Sequence, residues 1–184
     1  MTEPHTAQRP IRVLFLCTHN SARSILAEAC LNHLGRGRWQ AFSAGSSPRP
    51  GQQPHALALA ALQEAGIPTA GLRSKNWDEF AGPQAQPMDL IITVCDNAAG
   101  ELCPIWPGHP ATAHWAYADP SEGEGSPAQR LQRFRSTLQA ISGRLEAFLQ
   151  AASDELLSGV GEAETEAARV GQRLAQIARR LALP

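Results

Sequence analysis

The sequence has almost no net charge and lacks any long hydrophobic run. Its 184 residues carry 16 Lys and Arg against 17 Asp and Glu, for a formal net charge of −1. Such a chain has no broad field to attract nucleic acid or an anionic membrane, so any anion site must be local. The apolar run Ile11–Cys17 is too short for a membrane span or a signal-peptide core. We therefore expect a soluble, cytoplasmic protein.

Cysteine is also scarce. The sequence has four, at Cys17, Cys30, Cys95 and Cys103. In a reducing compartment these would be mostly free thiols, and cysteines there are more often catalytic or metal-binding than structural cross-links. Cys30 falls on the apolar face of a predicted helix and is expected to lie in the core.

Short apolar runs alternate with helical patterns along most of the chain. Ile11–Cys17 and Asp89–Cys95 are nearly continuous runs, typical of strands buried on both faces of a parallel sheet. Further strands are predicted over 39–44 and 113–118, and helices over 23–34, 54–65 and 127–152. The alternation predicts an α/β fold with a doubly wound, four-stranded parallel sheet.

The end of the chain has a pattern of its own. Over residues 153–184 apolar residues recur every three or four positions, with acidic residues first and basic residues last, which suits a helix and its macrodipole. We therefore divide the chain into a domain over 11–152 and a C-terminal amphipathic helical extension over 153–184. The extension is expected to pack on the domain or on a second copy, which would give an oligomer. A partner-binding tail is the alternative.

Three chemically reactive side chains fall at predicted carboxyl ends of strands. They are Cys17, Cys95 and Asp119. In doubly wound sheets ligands bind beyond these ends, near the switch in strand order. The three residues are therefore expected at one edge of the sheet, around a single site.

The segment Cys17–Ser24 joins the first strand to the first helix. A loop there can point consecutive backbone N–H groups at one spot and bind an anion. Arg23 can hold two oxygens of a tetrahedral oxyanion, and these positive groups are expected to lower the pKa of Cys17. Asn20 is expected to shape the turn, in one alternative by taking a left-handed conformation, and His19 to face solvent. The predicted oxyanion-binding residues are Thr18, His19, Asn20, Ser21, Ala22, Arg23 and Ser24.

The stretch Cys17–Ser24 resembles the phosphate-binding loop of low-molecular-weight protein tyrosine phosphatases and of the arsenate reductases built on that fold. Ser43-Ala44-Gly45, Arg73-Ser74-Lys75 and Asp119-Pro120 resemble further segments of that family. The resemblance covers roughly residues 11–150 and implies a flavodoxin-like phosphatase fold. It also implies that Cys17 attacks phosphorus or arsenic, and that Asp119 protonates the departing oxygen.

Phosphatases and arsenate reductases share this attack and differ in the fate of the adduct. Water hydrolyses a phosphocysteine, whereas a second thiol must attack the arsenic-bearing sulfur. The segment from Cys95 to Cys103 resembles the redox segment of thiol-linked arsenate reductases. The resemblance implies that Cys95 forms a transient disulfide with Cys17 and that Cys103 then attacks Cys95. An external thiol reductant, of the thioredoxin or the glutaredoxin and glutathione type, would recycle the enzyme without a tightly bound cofactor.

Two other functions stay open, namely hydrolysis of phosphate monoesters and oxyanion binding without turnover. Ser121, Glu122 and Gly123 come after the Asp-Pro pair and offer no ring to stack on phosphotyrosine, which favours a small inorganic substrate. A zinc site built from Cys95, Cys103, His109 and His114 fits no common spacing, so no metal is predicted. Some relatives bind a monovalent cation near the loop, and Asn20, Glu28 and Ser43 match such ligands, but Lys75 stands where a carboxylate would be expected.

Overall fold

The structure is a computed structural model and describes residues 9–95, 106–157 and 163–182. The strands are β1 (Ile11–Cys17), β2 (Trp39–Gly45), β3 (Leu90–Thr93) and β4 (Ala111–His114). The helices are α1 (Arg23–Leu34), α2 (Ala56–Glu64), α3 (Pro127–Leu157) and α4 (Ala163–Ala182), with a 3-10 helix over Trp77–Phe80. Across the described ranges, no helix is both long enough and apolar enough to span a membrane.

The four strands form one sheet in the order β2-β1-β3-β4, and every neighbouring pair is parallel. This confirms the predicted four-stranded parallel sheet. The chain moves from β1 to one side and then returns to the other side with β3. The switch in strand order therefore lies between β1 and β3, and ligands of doubly wound sheets bind beyond the carboxyl ends of such a strand pair.

Strand β1 is buried on both faces, which explains its nearly continuous apolar sequence. Val13 and Phe15 lie in a large core with α1, α2, α3 and α4. Leu14 and Leu16 face the opposite side, where Trp106 and residues of the 3-10 helix cover them. Cys30 is fully buried in the larger core, as predicted.

Strand β4 is shorter and earlier than the predicted range of 113–118. It pairs with β3 from Ala111 to His114, and β3 itself ends at Thr93. Trp115 still donates its N–H to the Thr93 carbonyl at 2.8 Å, but beyond that point the neighbouring strand offers no further partner. Residues 115–118 therefore leave the sheet and lead to Asp119.

Helix α3 continues to Leu157, past the division predicted at residue 152. Helix α4 then packs on β4 and α3, with Leu174 and Ile177 buried in the larger core. The C-terminal segment thus lies on the sheet. Its division from the domain at residue 152 stays a prediction.

Candidate active site

Cys17 ends β1 and lies at the bottom of the loop that leads to α1. Its side chain is 4% exposed. Asn20 takes the left-handed conformation, at φ 52°, and turns the chain back over the sulfur. The Ser46 N–H donates to the Cys17 carbonyl at 3.1 Å, which ties the loop to the end of β2.

Gly45, at the end of β2, lies against the backbone of this loop. A Cβ added at Gly45 would stand 2.6 Å from the Thr18 carbonyl oxygen and 3.0 Å from the Asn20 nitrogen. Both are backbone atoms, which cannot move without reshaping the loop. The close approach gives a physical reason for glycine at the end of the Ser43-Ala44-Gly45 segment.

Two hydrogen-bond donors face the sulfur of Cys17. The Asn20 backbone N–H donates to Sγ at 3.1 Å, and the Ser24 hydroxyl lies 2.9 Å from Sγ. The Asn20 side-chain amide donates to the Ser24 oxygen at 2.8 Å. Because Ser24 accepts that bond, its own hydrogen is available to the sulfur, where it would stabilise a thiolate.

The pKa of Cys17 nevertheless lies above its ordinary value, contrary to the expectation from sequence. Burial of the thiol raises this pKa, the hydrogen bonds from Ser24 and Asn20 oppose the rise, and the nearby Cys95 adds to it. The guanidinium of Arg23 is turned to a carboxylate instead of the sulfur. In this arrangement the burial of Cys17 therefore outweighs the hydrogen-bond donors of the loop.

Arg23, at the first position of α1, pairs with Asp119. Its Nη2 lies 2.8 Å from Asp119 Oδ2, and its Nη1 donates to the Tyr117 carbonyl at 2.9 Å. Both side chains of the ion pair are mostly shielded, at 16% and 23% exposure. The structure thus brings together a predicted oxyanion ligand and a predicted general acid from distant parts of the chain.

Asp119 is held in its ionised form by its neighbours. Partial burial opposes ionisation of the carboxyl, but the hydroxyl and N–H of Ser121 donate to Oδ1 at 2.6 and 2.9 Å. These bonds and the charge of Arg23 outweigh burial, so the pKa of Asp119 lies below its ordinary value. The carboxyl must therefore gain a proton before it can act as an acid.

Cys95 comes after β3 and lies beside the loop. It is a buried free thiol, and its Sγ stands 3.7 Å from the Thr18 hydroxyl. His19 faces solvent as predicted, with Nδ1 2.9 Å from the Ser47 carbonyl oxygen. Cys103 lies outside the described residues. Among the residues that are described, no group of three or more His, Cys, Asp and Glu is arranged to hold a metal ion.

A buried ion pair under the loop was absent from the predicted site. The Lys75 ammonium donates to Glu28 Oε2 at 3.1 Å and to the Arg73 carbonyl at 2.9 Å. The Ser43 hydroxyl also donates to Glu28. The ammonium of Lys75, the sequence's sole lysine, thus stands against the carboxylate considered as a cation ligand.

This ion pair is connected to the nucleophile by hydrogen bonds. The Lys75 backbone N–H donates to Asn20 Oδ1 at 2.7 Å, which fixes the orientation of that amide. The Asn20 amide nitrogen, Nδ2, then donates to the hydroxyl oxygens of Ser43 and Ser24, each at 2.8 Å. Asn20, Glu28, Ser43 and Lys75 were all named from sequence in connection with a cation, but spacing could not show that Lys75 pairs with Glu28.

We expect Lys75→Met to destabilise the fold by about 3–5 kcal/mol at neutral pH, because it leaves a buried carboxylate without its counter-charge. Burial already raises the pKa of Glu28, and loss of Lys75 would raise it further. A raised pKa favours the folded state at low pH, so the defect should shrink as the pH falls and Glu28 takes up a proton. Denaturant unfolding across a pH series measures this.

Arg73→Met is the matched control, since it removes a positive charge two residues away. Arg73 pairs with Glu79 at an exposed position, at 58% and 43% exposure. We expect a change within about 1 kcal/mol for this variant. Equal losses in the two variants would contradict the role of the buried pair.

The fold and this loop define a class of protein. A parallel sheet carries a buried cysteine at the end of its first strand, donors around the sulfur, and an arginine at the start of the following helix. The family model "low molecular weight phosphotyrosine protein phosphatase" matches residues 12–157. The chain belongs to this family.

Similar proteins within the family include arsenate reductases. The arsenate reductase of Bacillus licheniformis is 35% identical over 139 residues, which are 75% of this chain and 94% of that protein. A solved structure titled "An arsenate reductase in the phosphate binding state" is 26% identical, with a TM-score of 0.59 over 76% of this chain and 97% of that one. The thioredoxin-dependent arsenate reductase of Corynebacterium glutamicum is 27% identical, with a TM-score of 0.58. That match covers 83% of this chain and 65% of the other.

Proposed function

We propose that this protein is an arsenate reductase in which Cys17 attacks arsenic and Cys95 resolves the adduct. The observation that carries the proposal is a second buried thiol beside the loop of the first, with Cys95 Sγ 3.7 Å from the Thr18 hydroxyl. Hydrolysis of a phosphate ester has no use for a second thiol, whereas reduction of arsenate requires one. The similarity to curated arsenate reductases supports the same choice.

In the first step the loop binds arsenate and Cys17 attacks it. The backbone N–H groups of residues 18–24 and the guanidinium of Arg23 hold the oxyanion. Arg23 leaves Asp119 to pair with the oxyanion, so Asp119 loses the charge that depresses its pKa. The Cys17 thiol gives its proton to an oxygen of the bound arsenate dianion, and the sulfur forms a bond to arsenic. An arsenic–oxygen bond breaks, and that oxygen leaves as water with a proton from Asp119.

In the second step Cys95 attacks the sulfur of Cys17. A Cys17–Cys95 disulfide forms, the sulfur–arsenic bond breaks, and its electron pair stays on arsenic, which leaves as arsenite. The two thiols are oxidised by two electrons and arsenic is reduced by two. Cys103 then attacks Cys95, frees Cys17 and passes the disulfide to an external thiol reductant, which restores the enzyme. The thioredoxin-dependent relative from Corynebacterium glutamicum makes a dithiol protein a reasonable reductant to test first.

We expect Asp119→Asn to lower kcat/KM for arsenate by about 100-fold, because the departing oxygen loses its proton donor. The wild-type kcat should fall as the pH rises through the pKa of Asp119 in the arsenate complex, and this alkaline limb should vanish in the variant. Rate measurements across a pH series test both expectations.

Ser121→Ala provides a control that keeps the carboxyl. It removes a 2.6 Å hydrogen bond that lowers the pKa of Asp119, so the alkaline limb should move to higher pH. An alkaline limb that is identical in all three proteins would exclude Asp119 as the acid.

A side-by-side assay decides between the candidate functions. Arsenate reduction and aryl phosphate hydrolysis are measured on the same preparation, with thioredoxin, glutaredoxin and small thiols as separate reductants. We expect arsenite production that depends on one of these thiols. Strong hydrolysis with no reduction would identify a phosphatase, and phosphate binding without either reaction would identify an oxyanion-binding protein.

A further inference from the structure

Helix α4 lies outside the residues matched by the family model, which ends at residue 157. It is nevertheless hydrogen-bonded to β4 and to Trp115, which begins the segment that leads to Asp119. The Trp115 indole N–H donates to the Ala178 carbonyl of α4 at 2.8 Å, in a buried position. Arg179 donates to the carbonyl of Thr112, in edge strand β4, at 3.0 Å. The helix thus packs on the face of the sheet at edge strand β4 and contacts the chain where it leaves β4.

The contact between α4 and the sheet is close. A Cβ added at Gly171 would stand 2.7 Å from the Asp89 carbonyl oxygen, just before β3. The strand side chains on this face, Ala111 and Ala113, are small and buried. The position of α4 is therefore fixed by backbone contact, and a single methyl group at residue 171 would displace it.

Trp115 connects α4 to the site through two further side chains. The Arg144 guanidinium lies 5.7 Å from the centre of the Trp115 ring and 4.8 Å from the centre of the Tyr117 ring. The Tyr117 carbonyl in turn accepts the 2.9 Å hydrogen bond from Arg23, two residues before Asp119. A continuous series of contacts thus leads from α4 to the guanidinium of Arg23, through Trp115, Arg144 and Tyr117.

We infer that α4 is a positioning element of the active site, and that its docking on Trp115 holds the Tyr117 carbonyl and Asp119 where they orient Arg23. Trp115, Arg144 and Tyr117 act through Arg23, and none of them needs to contact the substrate. The inference rests on the proposed oxyanion chemistry and assigns a function to a segment that the family model does not cover. A helix that only shielded the sheet would change stability alone.

Gly171→Ala and Trp115→Phe test this inference in the full-length protein. The first pushes α4 away from Asp89, and the second removes the indole donor while keeping an aromatic ring. Gly143→Ala is the matched control, because a Cβ at that helical position meets no atom within 4 Å. Circular dichroism identifies a temperature at which all four proteins are folded, and every measurement is made there.

Three quantities are measured. Phosphate affinity is obtained from its protection of Cys17 against iodoacetamide, scored on the Cys17 peptide by mass spectrometry. We expect phosphate to bind at least fivefold more weakly to Gly171→Ala and Trp115→Phe, and kcat/KM for arsenate to fall about tenfold. The alkylation rate without phosphate should stay within twofold of wild type, because Asn20 and Ser24 hold the sulfur independently of α4.

The outcomes separate this inference from the proposed function. Wild-type phosphate affinity in both folded variants would overturn the positioning role, and so would an equal loss in Gly143→Ala. A rise in unprotected alkylation along with weaker binding would indicate general loosening of the fold and would also overturn it. A wild-type protein that binds phosphate but reduces no arsenate would refute the proposed function alone, and the phosphate measurements would still decide the role of α4.

Discussion

Replacing Cys17 by serine is expected to lower arsenate reduction by at least about 1,000-fold, since nucleophile deletions have effects of this size or larger. A serine hydroxyl has a far higher pKa than a thiol. The groups that are hydrogen-bonded to the sulfur, from Asn20 and Ser24, include no base that could take the proton of the new hydroxyl. The oxyanion ligands are untouched, because the loop N–H groups and Arg23 do not depend on the sulfur. Phosphate and arsenate should therefore still bind with affinities within a few-fold of wild type.

The measurement pairs an arsenite assay with phosphate binding by calorimetry. Cys30→Ser is the matched control, since it makes the same chemical change at a fully buried core position away from the loop. It should cost stability and leave the rate per folded molecule unchanged. Substantial arsenate reduction by the folded Cys17→Ser protein would refute the mechanism.

Burial and the ion pair between Arg23 and Asp119 both bear on the reactivity of Cys17. Burial raises the pKa of Cys17, and Arg23 is paired with Asp119, so a thiol without substrate is kept largely protonated. A protonated thiol is a poor target for oxidants and stray electrophiles. In the proposed mechanism Arg23 turns to an arriving oxyanion, its pairing with Asp119 ends, and the Asp119 carboxyl becomes easier to protonate. On that proposal the ion pair would couple oxyanion binding to the protonation of Asp119.

The sequence was sufficient for the parts of the site that are local. A continuous apolar run ending in Cys17 predicted a doubly buried strand, and the structure shows β1 covered on both faces. The left-handed turn at Asn20 was one of the two alternatives expected from a short amide side chain in a tight loop. These features depend on a few consecutive residues, whose pattern is visible without the fold.

The features that could not be predicted depend on distant partners. Glu28 was considered as a cation ligand, whereas its burial against Lys75 is set by the packing of α1 beside the segment after β2. Burial raises the pKa of Cys17, and the guanidinium that was expected to lower it is instead paired with Asp119, 96 positions from Arg23. The early end of β4 is set by the length of its neighbour β3, which no pattern within 113–118 reveals.

The roles of the second and third thiols are tested by Cys95→Ser and Cys103→Ser, and both are expected to lower steady-state reduction by at least about 100-fold. The two variants should stop at different stages, because Cys95 acts before arsenite leaves and Cys103 acts after it. With Cys95→Ser, Cys17 should bind arsenic without releasing arsenite. With Cys103→Ser, one equivalent of arsenite should appear in a single burst, and peptide mapping should find a Cys17–Cys95 disulfide.

Because the two variants stop at different stages, the experiment distinguishes a disulfide relay through Cys95 and Cys103 from a general loss of activity. Cys30→Ser again serves as the control, with unchanged turnover per folded molecule and no disulfide to Cys17. In the proposed relay the attacking thiol, Cys95, starts from a buried position beside Thr18, whereas an external thiol would have to enter the loop from solvent. Unchanged steady-state reduction in both variants would therefore indicate direct attack by an external thiol on the arsenic-bearing sulfur, and it would leave the loop chemistry intact while removing the relay.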